Sequence, residues 1–367
     1  MAVTKEPRIL LTGATGYIGG TILTRLLSSS SPILTSASIT CLVRGAERAS
    51  RLTAAYGPRV QPVVYESLDD IETTTATAAQ HDVVINTALG YHSALGLALA
   101  RGLAQRKAET GRNVWIIHTS GTSNLADLPV TGKRIEKGEF NDETDDVYGY
   151  EARLELQEPY PQRTAELGVM NESRRSGVRA LVIMSPTIYG HGLGLFNTAS
   201  IQIPAYINII LDQGRGVVLG EGRGVWDHVH VEDLAELYEI VTKNILEQDG
   251  EDLPPGSKGI IFSGNGRHSW LEVAQMITDA CYSEGKVKEQ RVHSVGISEG
   301  VSILGPRLGG ADETVVQLAL ASNSYCSKRR SASGMESYSG RGHVEELCQG
   351  RCQSSIRQEG QLTPLLV

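Results

Sequence analysis

The sequence predicts an α/β fold, a doubly wound parallel sheet with a smaller C-terminal lobe. Three observations predict it. Near the start of the chain a short apolar strand runs through a glycine-rich turn directly into a helix of amphipathic period. Continuous apolar runs then alternate with helical periodicity, as a parallel sheet covered on both faces requires. A chain of 367 residues, 40% of them hydrophobic, is long enough to bury one large α/β domain and a lobe beside it.

Each element follows in order. Residues 9–11 read as a buried strand and 17–27 as the helix after the turn. Further strands are expected at 38–43, behind a Ser/Pro-rich loop, at 60–65 and at 82–86. An apolar helix around 95–103, a strand at 113–118, a helix over 164–175 and a strand at 178–184 complete the alternation. Right-handed crossovers build a doubly wound sheet from such units and leave ligands at the carboxyl ends of the strands. After Gly190 the rhythm changes to a glycine-rich loop, a helix near 203–211 and short apolar runs at 217–219 and 229–231. The expected division is a first domain over 1–190, a lobe with closing strand–helix units over 191–317, and an atypical tail over 318–367.

The turn itself, Gly13-Ala-Thr-Gly16-Tyr-Ile-Gly19, carries the first functional statement. Glycines at a strand-to-helix bend permit the tight turn, the close approach of a diphosphate to bare backbone, and close packing of the helix on the sheet. The helix start adds free N–H groups and the positive end of its dipole. Gly13, Thr15, Gly16, Tyr17, Ile18 and Gly19 are therefore the expected cradle of a dinucleotide, which makes 1–190 a dinucleotide-binding domain. The second strand ends in Arg44. An acidic residue there accepts bonds from an adenosine ribose, whereas arginine suits a 2′-phosphate, so NADP(H) is expected over NAD(H). Arg48 and Arg51 either assist or form a solvated helix face.

Composition narrows the partners. A net charge of −8 with no basic block argues against nucleic acid. No apolar run reaches the roughly 18 residues of a membrane helix, and no secretory leader is read at the start. Five cysteines, none in CxxC spacing, suggest reduced thiols and a cytoplasmic location.

Four landmarks in order resemble the extended short-chain dehydrogenase/reductase family, the branch of epimerases and dehydratases. They are the glycine turn, Asn86-Thr-Ala88, Ser185-Pro-Thr-Ile-Tyr-Gly190, and Trp226-Asp-His-Val-His-Val-Glu-Asp233. The resemblance implies a Rossmann-like sheet, a substrate lobe and hydride transfer. It places Asn86, Ala88, Pro186 and Thr187 beside the cofactor, and a homodimer is the family's common assembly. Family members use a Ser or Thr after the fifth strand with Tyr-x-x-x-Lys. The tyrosine moves the hydroxyl proton, the ammonium lowers its pKa, and the hydroxyl polarises the carbonyl. Here Ser120 and Thr122 are the candidate hydroxyls and Tyr160 the tyrosine, but the lysine position is Thr164. Arg163 swinging in as the cation, Tyr148 or Tyr150 serving with Arg153, or a site that only binds dinucleotide are the alternatives. Reduction survives such a loss better than oxidation, which needs the phenolate.

In the family's glycine-x-glycine-x-Arg-Asp frame this chain reads Gly222-Arg-Gly-Val-Trp226-Asp227, an indole where nucleotide-sugar enzymes grip a diphosphate. Trp226, Tyr91, Tyr189 and Phe196 are expected to line a cleft for a small, largely uncharged carbonyl compound. The acidic and histidine residues 227–233 resemble a metal cluster, but no second ligand group accompanies them and no metal is expected. Asp233 is expected to cap the following helix. The tail is rich in Ser, Gly, Arg and Cys and is expected to be disordered; a shifted reading frame or misplaced splice boundary would account for it, and a genuine regulatory tail is the alternative. The expected function is NADPH-dependent carbonyl reduction in specialised metabolism. The alternatives are a nucleotide-sugar epimerase or dehydratase, and a non-catalytic NADP(H) sensor.

Overall fold

The computed structural model describes residues 7–134, 139–308, 310 and 312–327. The labelled strands are β1 (Arg8–Thr12), β2 (Ser38–Arg44), β3 (Val60–Tyr65), β4 (Val83–Asn86), β5 (Trp115–Gly121), β6 (Arg179–Ser185), β7 (Thr187–Tyr189), β8 (Val225–His230), β9 (Ile260–Phe262) and β10 (Gly266–Ser269). The main sheet has seven strands in the order β9-β6-β5-β4-β1-β2-β3, every pair parallel. The strand order reverses between β1 and β4, and the crevice for a ligand opens there, at the carboxyl ends.

Register explains why the strands read as unbroken apolar runs. Leu11 lies beside Cys41 and Ile85, and Ile85 beside Ile117. These face one core with α1 (Tyr17–Ser28) and α8 (Val231–Gln248), through Ile22, Leu23, Leu234 and Tyr238. The alternate residues Leu10, Leu42, Val84 and Ile116 face the other core, against Leu95, Leu99 and Leu103 of α4 (Ser93–Thr110) and Val169 of α6 (Pro161–Ser176). Between these fall α2 (Ala46–Tyr56), α3 (Ile71–Ala78) and α5 (Val147–Gln157). Two covered faces leave few polar positions on these strands, Thr40, Asn86 and His118 among them, and each buried Leu or Ile contributes about 2 kcal/mol.

The lobe has its own core around Tyr206, Trp226 and Trp270, from α7 (Gln202–Gln213), β8 and α9 (Trp270–Ser283). The strands β10, β8 and β7 make a three-stranded sheet beside it. The run expected at 229–231 is the end of β8, and α8 begins at Val231. Its cap is His230, whose ring nitrogen accepts from Glu232 N, and not the expected Asp233, which accepts from the Asn265 side chain at 2.9 Å. The beginning of the atypical tail is likewise corrected. Residues 318–327 are part of the fold: Trp270 Nε1 donates to Ser322 O at 3.0 Å, Asn323 bonds Asp127, and Cys326 pairs with Phe140 in a short parallel bridge. Residues 328–367, on which the frame-shift expectation chiefly rests, lie outside the described residues.

Candidate active site

β1 delivers Thr12 to the glycine turn. Gly13 has φ +72, and a Cβ on it would stand 2.6 Å from Thr87 O, so the loops after β1 and β4 touch only because this residue is glycine. At Gly19 a Cβ would meet Gly13 O at 2.3 Å, which is how α1 seats on the turn. Gly16 differs. Its one protein neighbour within 4 Å of such an atom is Gly13 O at 3.1 Å, so its other side is open. Gly16 caps α1 without a side-chain bond, which leaves the first-turn amides for an anion. The turn thus fits a dinucleotide diphosphate. Tyr17 and Ile18 can offer only their amides, because the Tyr17 hydroxyl donates to Gly190 O at 2.8 Å and Ile18 packs on the core. Thr15 is half-buried on the turn.

At the end of β2, Arg44 and Arg48 are exposed and neither makes an ion pair or hydrogen bond among the described residues. Arg51 instead lies over the Phe196 ring, 4.4 Å from its centroid. This corrects the expectation for Phe196. The loop that carries it is drawn back onto α1, where Leu193 N donates to Thr21 Oγ1 at 3.1 Å, so the ring sits on the α1–α2 side and not in a substrate cleft.

A buried ladder ties the strand ends together. Thr12 Oγ1 donates to Asn86 Oδ1 at 2.6 Å, and Asn86 Nδ2 donates to His118 Nδ1 at 2.9 Å. Asn86 thus braces the ends of β1, β4 and β5, beside the turn where the cofactor contact is expected of it. Ala88 N lies 3.3 Å from Thr12 Oγ1 on the same ladder. Burial holds the His118 imidazole neutral, pulling its pKa down to about 4, with the Gly90 backbone opposing only in part. On the far side of the crevice Pro186 is buried and Thr187 Oγ1 donates to Gln202 Oε1 at 2.7 Å.

The reacting end is built by two segments far apart in sequence. After β5 the chain tightens into a single turn at Thr122–Leu125, which buries Thr122 and swings Ser123 outward. Tyr160 stands just before α6, its hydroxyl 3.2 Å from Ser123 Oγ. Ser123, not Ser120 or Thr122, is thus the hydroxyl that meets the tyrosine. Ser123 donates in turn to Gln162 Oε1 at 2.7 Å. Tyr91 lies close by; burial first, then Tyr160, raises its phenol above the ordinary range. Sequence reasoning missed Ser123 and Gln162. Both stand inside segments the motifs mark, but the rotation that faces them together is not written in either.

Arg163 does not supply the missing cation. It is 1% exposed, pairs with Glu155 at 3.0 Å, and donates to the carbonyls of Asn124 and Glu158. A guanidinium bound on three sides is a bolt between α5, α6 and the Thr122–Leu125 turn. The lysine position is also accounted for: Thr164 is exposed and its hydroxyl donates to Glu155.

Ser120 faces inward to a second network. Asn124 Nδ2 donates to Glu166 Oε2 at 2.8 Å and lies 3.2 Å from Ser120 Oγ. Glu166 and Glu151 are both fully buried and face each other. Burial and then the neighbouring charge push Glu151 well above the carboxylate range. Burial also raises Glu166, while its bonds from Glu151, Ser120 and Asn124 pull it back. Of the two, Glu151 is pushed the further up and so holds its proton the more firmly.

Two further expectations are corrected. Tyr189 is 9% exposed, its ring set edge-on between His228 and His230 at 5.4 and 5.2 Å. Trp226 is 4% exposed and packs on Trp270 at 5.7 Å. The segment reaching Ser324 pairs with Trp226 along the strand edge.

A model of the NAD dependent epimerase/dehydratase family matches residues 9–253. The chain belongs to that family. Membership makes it an NAD(P)-dependent oxidoreductase-type enzyme with a nicotinamide dinucleotide as cofactor, and the glycine turn is a part of the structure that fits its diphosphate. A protein of Acremonium sp. called oxidase ucsJ is 32% identical over 308 residues, 81% of this chain and 85% of the relative. The dTDP-glucose 4,6-dehydratase DesIV of Streptomyces venezuelae, solved with NAD and TYD bound, superposes with a TM-score of 0.63 at 14% identity. That likeness spans 96% of this chain and 99% of DesIV. The terminal R domain of the myxalamid PKS-NRPS pathway gives 0.63 at 18% identity, over 97% of this chain and 92% of that domain. At such identities these two structures show the family's fold alone. Among the described residues no helix is long and apolar enough to cross a membrane.

Proposed function

We propose that this enzyme uses NADPH to reduce the carbonyl group of a small, largely uncharged metabolite, in the cytoplasm. One observation carries the reading: Tyr160 and Ser123 form a 3.2 Å pair at the carboxyl ends of the strands, and Arg163, whose guanidinium lies over the Tyr160 ring at 5.8 Å from its centroid, gives its N–H groups to Glu155, Asn124 and Glu158 and none to the phenol oxygen. A phenol whose oxygen takes no bond from a cation serves a reduction, because the reaction consumes its proton. An oxidation needs the phenolate first. When bound, the reduced nicotinamide supplies the hydride. Tyr160 protonates the carbonyl oxygen as the alcohol forms, and Ser123 holds the phenol in place beside it.

Two features support the finer points. Arg44 and Arg48 stand exposed and unpaired among the described residues at the end of β2, where a 2′-phosphate is met in this topology. The frame that carries a diphosphate-gripping arginine in nucleotide-sugar enzymes holds buried Trp226, while Arg223 is exposed and paired with Glu221 at 2.8 Å. A charged diphosphate therefore lacks its partner. The relative in Acremonium is called an oxidase; the same pair of groups can serve hydride transfer in either direction, and the missing cation favours reduction here.

Fluorescence titration with NADPH and NADH tests the cofactor assignment. NADPH is expected to bind about tenfold tighter, and Arg44→Ala to remove most of that margin. Tighter NADH refutes it. A panel of neutral ketones and aldehydes, run with wild type and Tyr160→Phe, then separates enzyme from sensor. NADPH consumption that Tyr160→Phe abolishes supports the reductase. No consumption with any compound favours a dinucleotide sensor.

A further inference from the structure

Gln162 sits in the first turn of α6, two residues beyond Tyr160, and its amide fills a gap that two glycines leave for it. A Cβ on Gly121 would stand 2.8 Å from Gln162 Nε2 and 3.1 Å from Oε1, and one on Gly90 would stand 3.6 Å from Nε2. Those glycines belong to the ends of different strands, so the amide is held between the loops after β4 and β5. Its oxygen accepts from Ser123 at 2.7 Å, and the Tyr160 hydroxyl lies 3.2 Å beyond on Ser123 Oγ. The three groups form a directed chain, Tyr160 to Ser123 to Gln162, ending on an atom that can only accept.

We propose that Gln162 is the positioning residue that takes over the task of the missing lysine, by turning its amide and reversing this chain as Tyr160 gives up its proton. The proposal rests on the reductase reading above. In that reaction the carbonyl carbon takes a hydride from the reduced nicotinamide dinucleotide. The carbonyl oxygen takes the Tyr160 proton, so the phenol O–H bond breaks and the alcohol O–H bond forms. A phenolate is left with the Ser123 hydrogen pointing away from it.

An amide offers two ends of nearly equal size and opposite role. Rotation about its last torsion puts Nε2 where Oε1 stood, with the heavy atoms otherwise in place. Nε2 then donates to Ser123 Oγ, and Ser123 donates to the phenolate. A hydrogen bond to a charged acceptor is roughly twice as strong as a neutral one, so the new direction holds until a solvent proton returns. A dipole and a hydroxyl thus do part of what an ammonium does by charge. They need no lysine at position 164, which faces Glu155.

Two variants and two readouts decide it. Gln162→Glu keeps the shape and the acceptor for Ser123, so a merely structural glutamine tolerates it. A carboxylate cannot donate, so the reversal predicts a fall in kcat of about tenfold to a hundredfold with KM and NADPH affinity unchanged. Gln162→Leu is expected to fall as far. Wild-type kcat in Gln162→Glu overturns the proposal. The second readout needs no substrate: the 19F signal of 3-fluorotyrosine placed at position 160, titrated with pH. Loss of the amide donor in Gln162→Leu is expected to move the midpoint up by about half a unit or more. Equal midpoints overturn the proposal. If wild type reduces nothing in the panel, the reductase reading fails on that result, while the 19F comparison still decides whether the amide reaches the phenol.

Discussion

Acid should loosen this enzyme through its buried histidines, of which His118 is the most completely enclosed. His118 is 0% exposed at the centre of the sheet, and its pKa falls from 6.5 to about 4 because burial disfavours the imidazolium. The unfolded chain regains the ordinary value and binds a proton first as the pH drops. Stability contributed by the neutral ring is therefore complete above pH 6.5 and is lost as the pH falls towards 4. A shift of that size, at 1.36 kcal/mol per unit, is about 3 kcal/mol. That is a large part of the roughly 5–15 kcal/mol that hold a domain folded. His118→Gln keeps an acceptor for Asn86 and removes the titration. Urea unfolding followed by tryptophan fluorescence, at several pH values from 7 to 4, gives the slope for each protein. The variant should lose about 3 kcal/mol less than wild type over that range, whatever its stability at pH 7. Parallel curves would refute the burial argument.

Two other predictions follow from packing and from the buried acids. Gly13→Ala forces a side chain into a left-handed backbone 2.6 Å from Thr87 O, and should lower stability by about 1–3 kcal/mol in thermal or urea melts. Gly16→Ala sits at φ −90, which any residue adopts, so it should melt close to wild type yet bind NADPH about tenfold more weakly. Loss of stability in Gly16→Ala with unchanged binding would contradict the open cradle. Glu151→Gln keeps a donor towards Glu166, and its stability should match or exceed wild type at pH 8. Glu166→Gln removes the charge that Asn124 and Glu151 both address, and should lower stability by about 1–3 kcal/mol. Equal losses in the two variants would show that the proton is not held by Glu151.

The sequence by itself determined the sheet, the order of its elements and the glycine turn between β1 and α1. These are local statements. Gly13 supplies the left-handed backbone that the turn needs, and a strand covered on both faces must be mainly apolar. Tyr160 and the loss of lysine at Thr164 were legible for the same reason, as spacing within one segment. Tertiary structure alone decided which hydroxyl meets that tyrosine. The choice of Ser123 over Ser120 and Thr122 depends on one tight turn at Thr122–Leu125 and on an α6 residue 39 positions away. It also decided that Arg163 is a buried bolt, that Trp226 belongs to a core, and that Phe196 lies under Arg51. Each side chain had the right chemistry for the role expected of it. Its actual role was set by which distant surface covered it, and pairings across tens of residues leave no periodic trace in the chain.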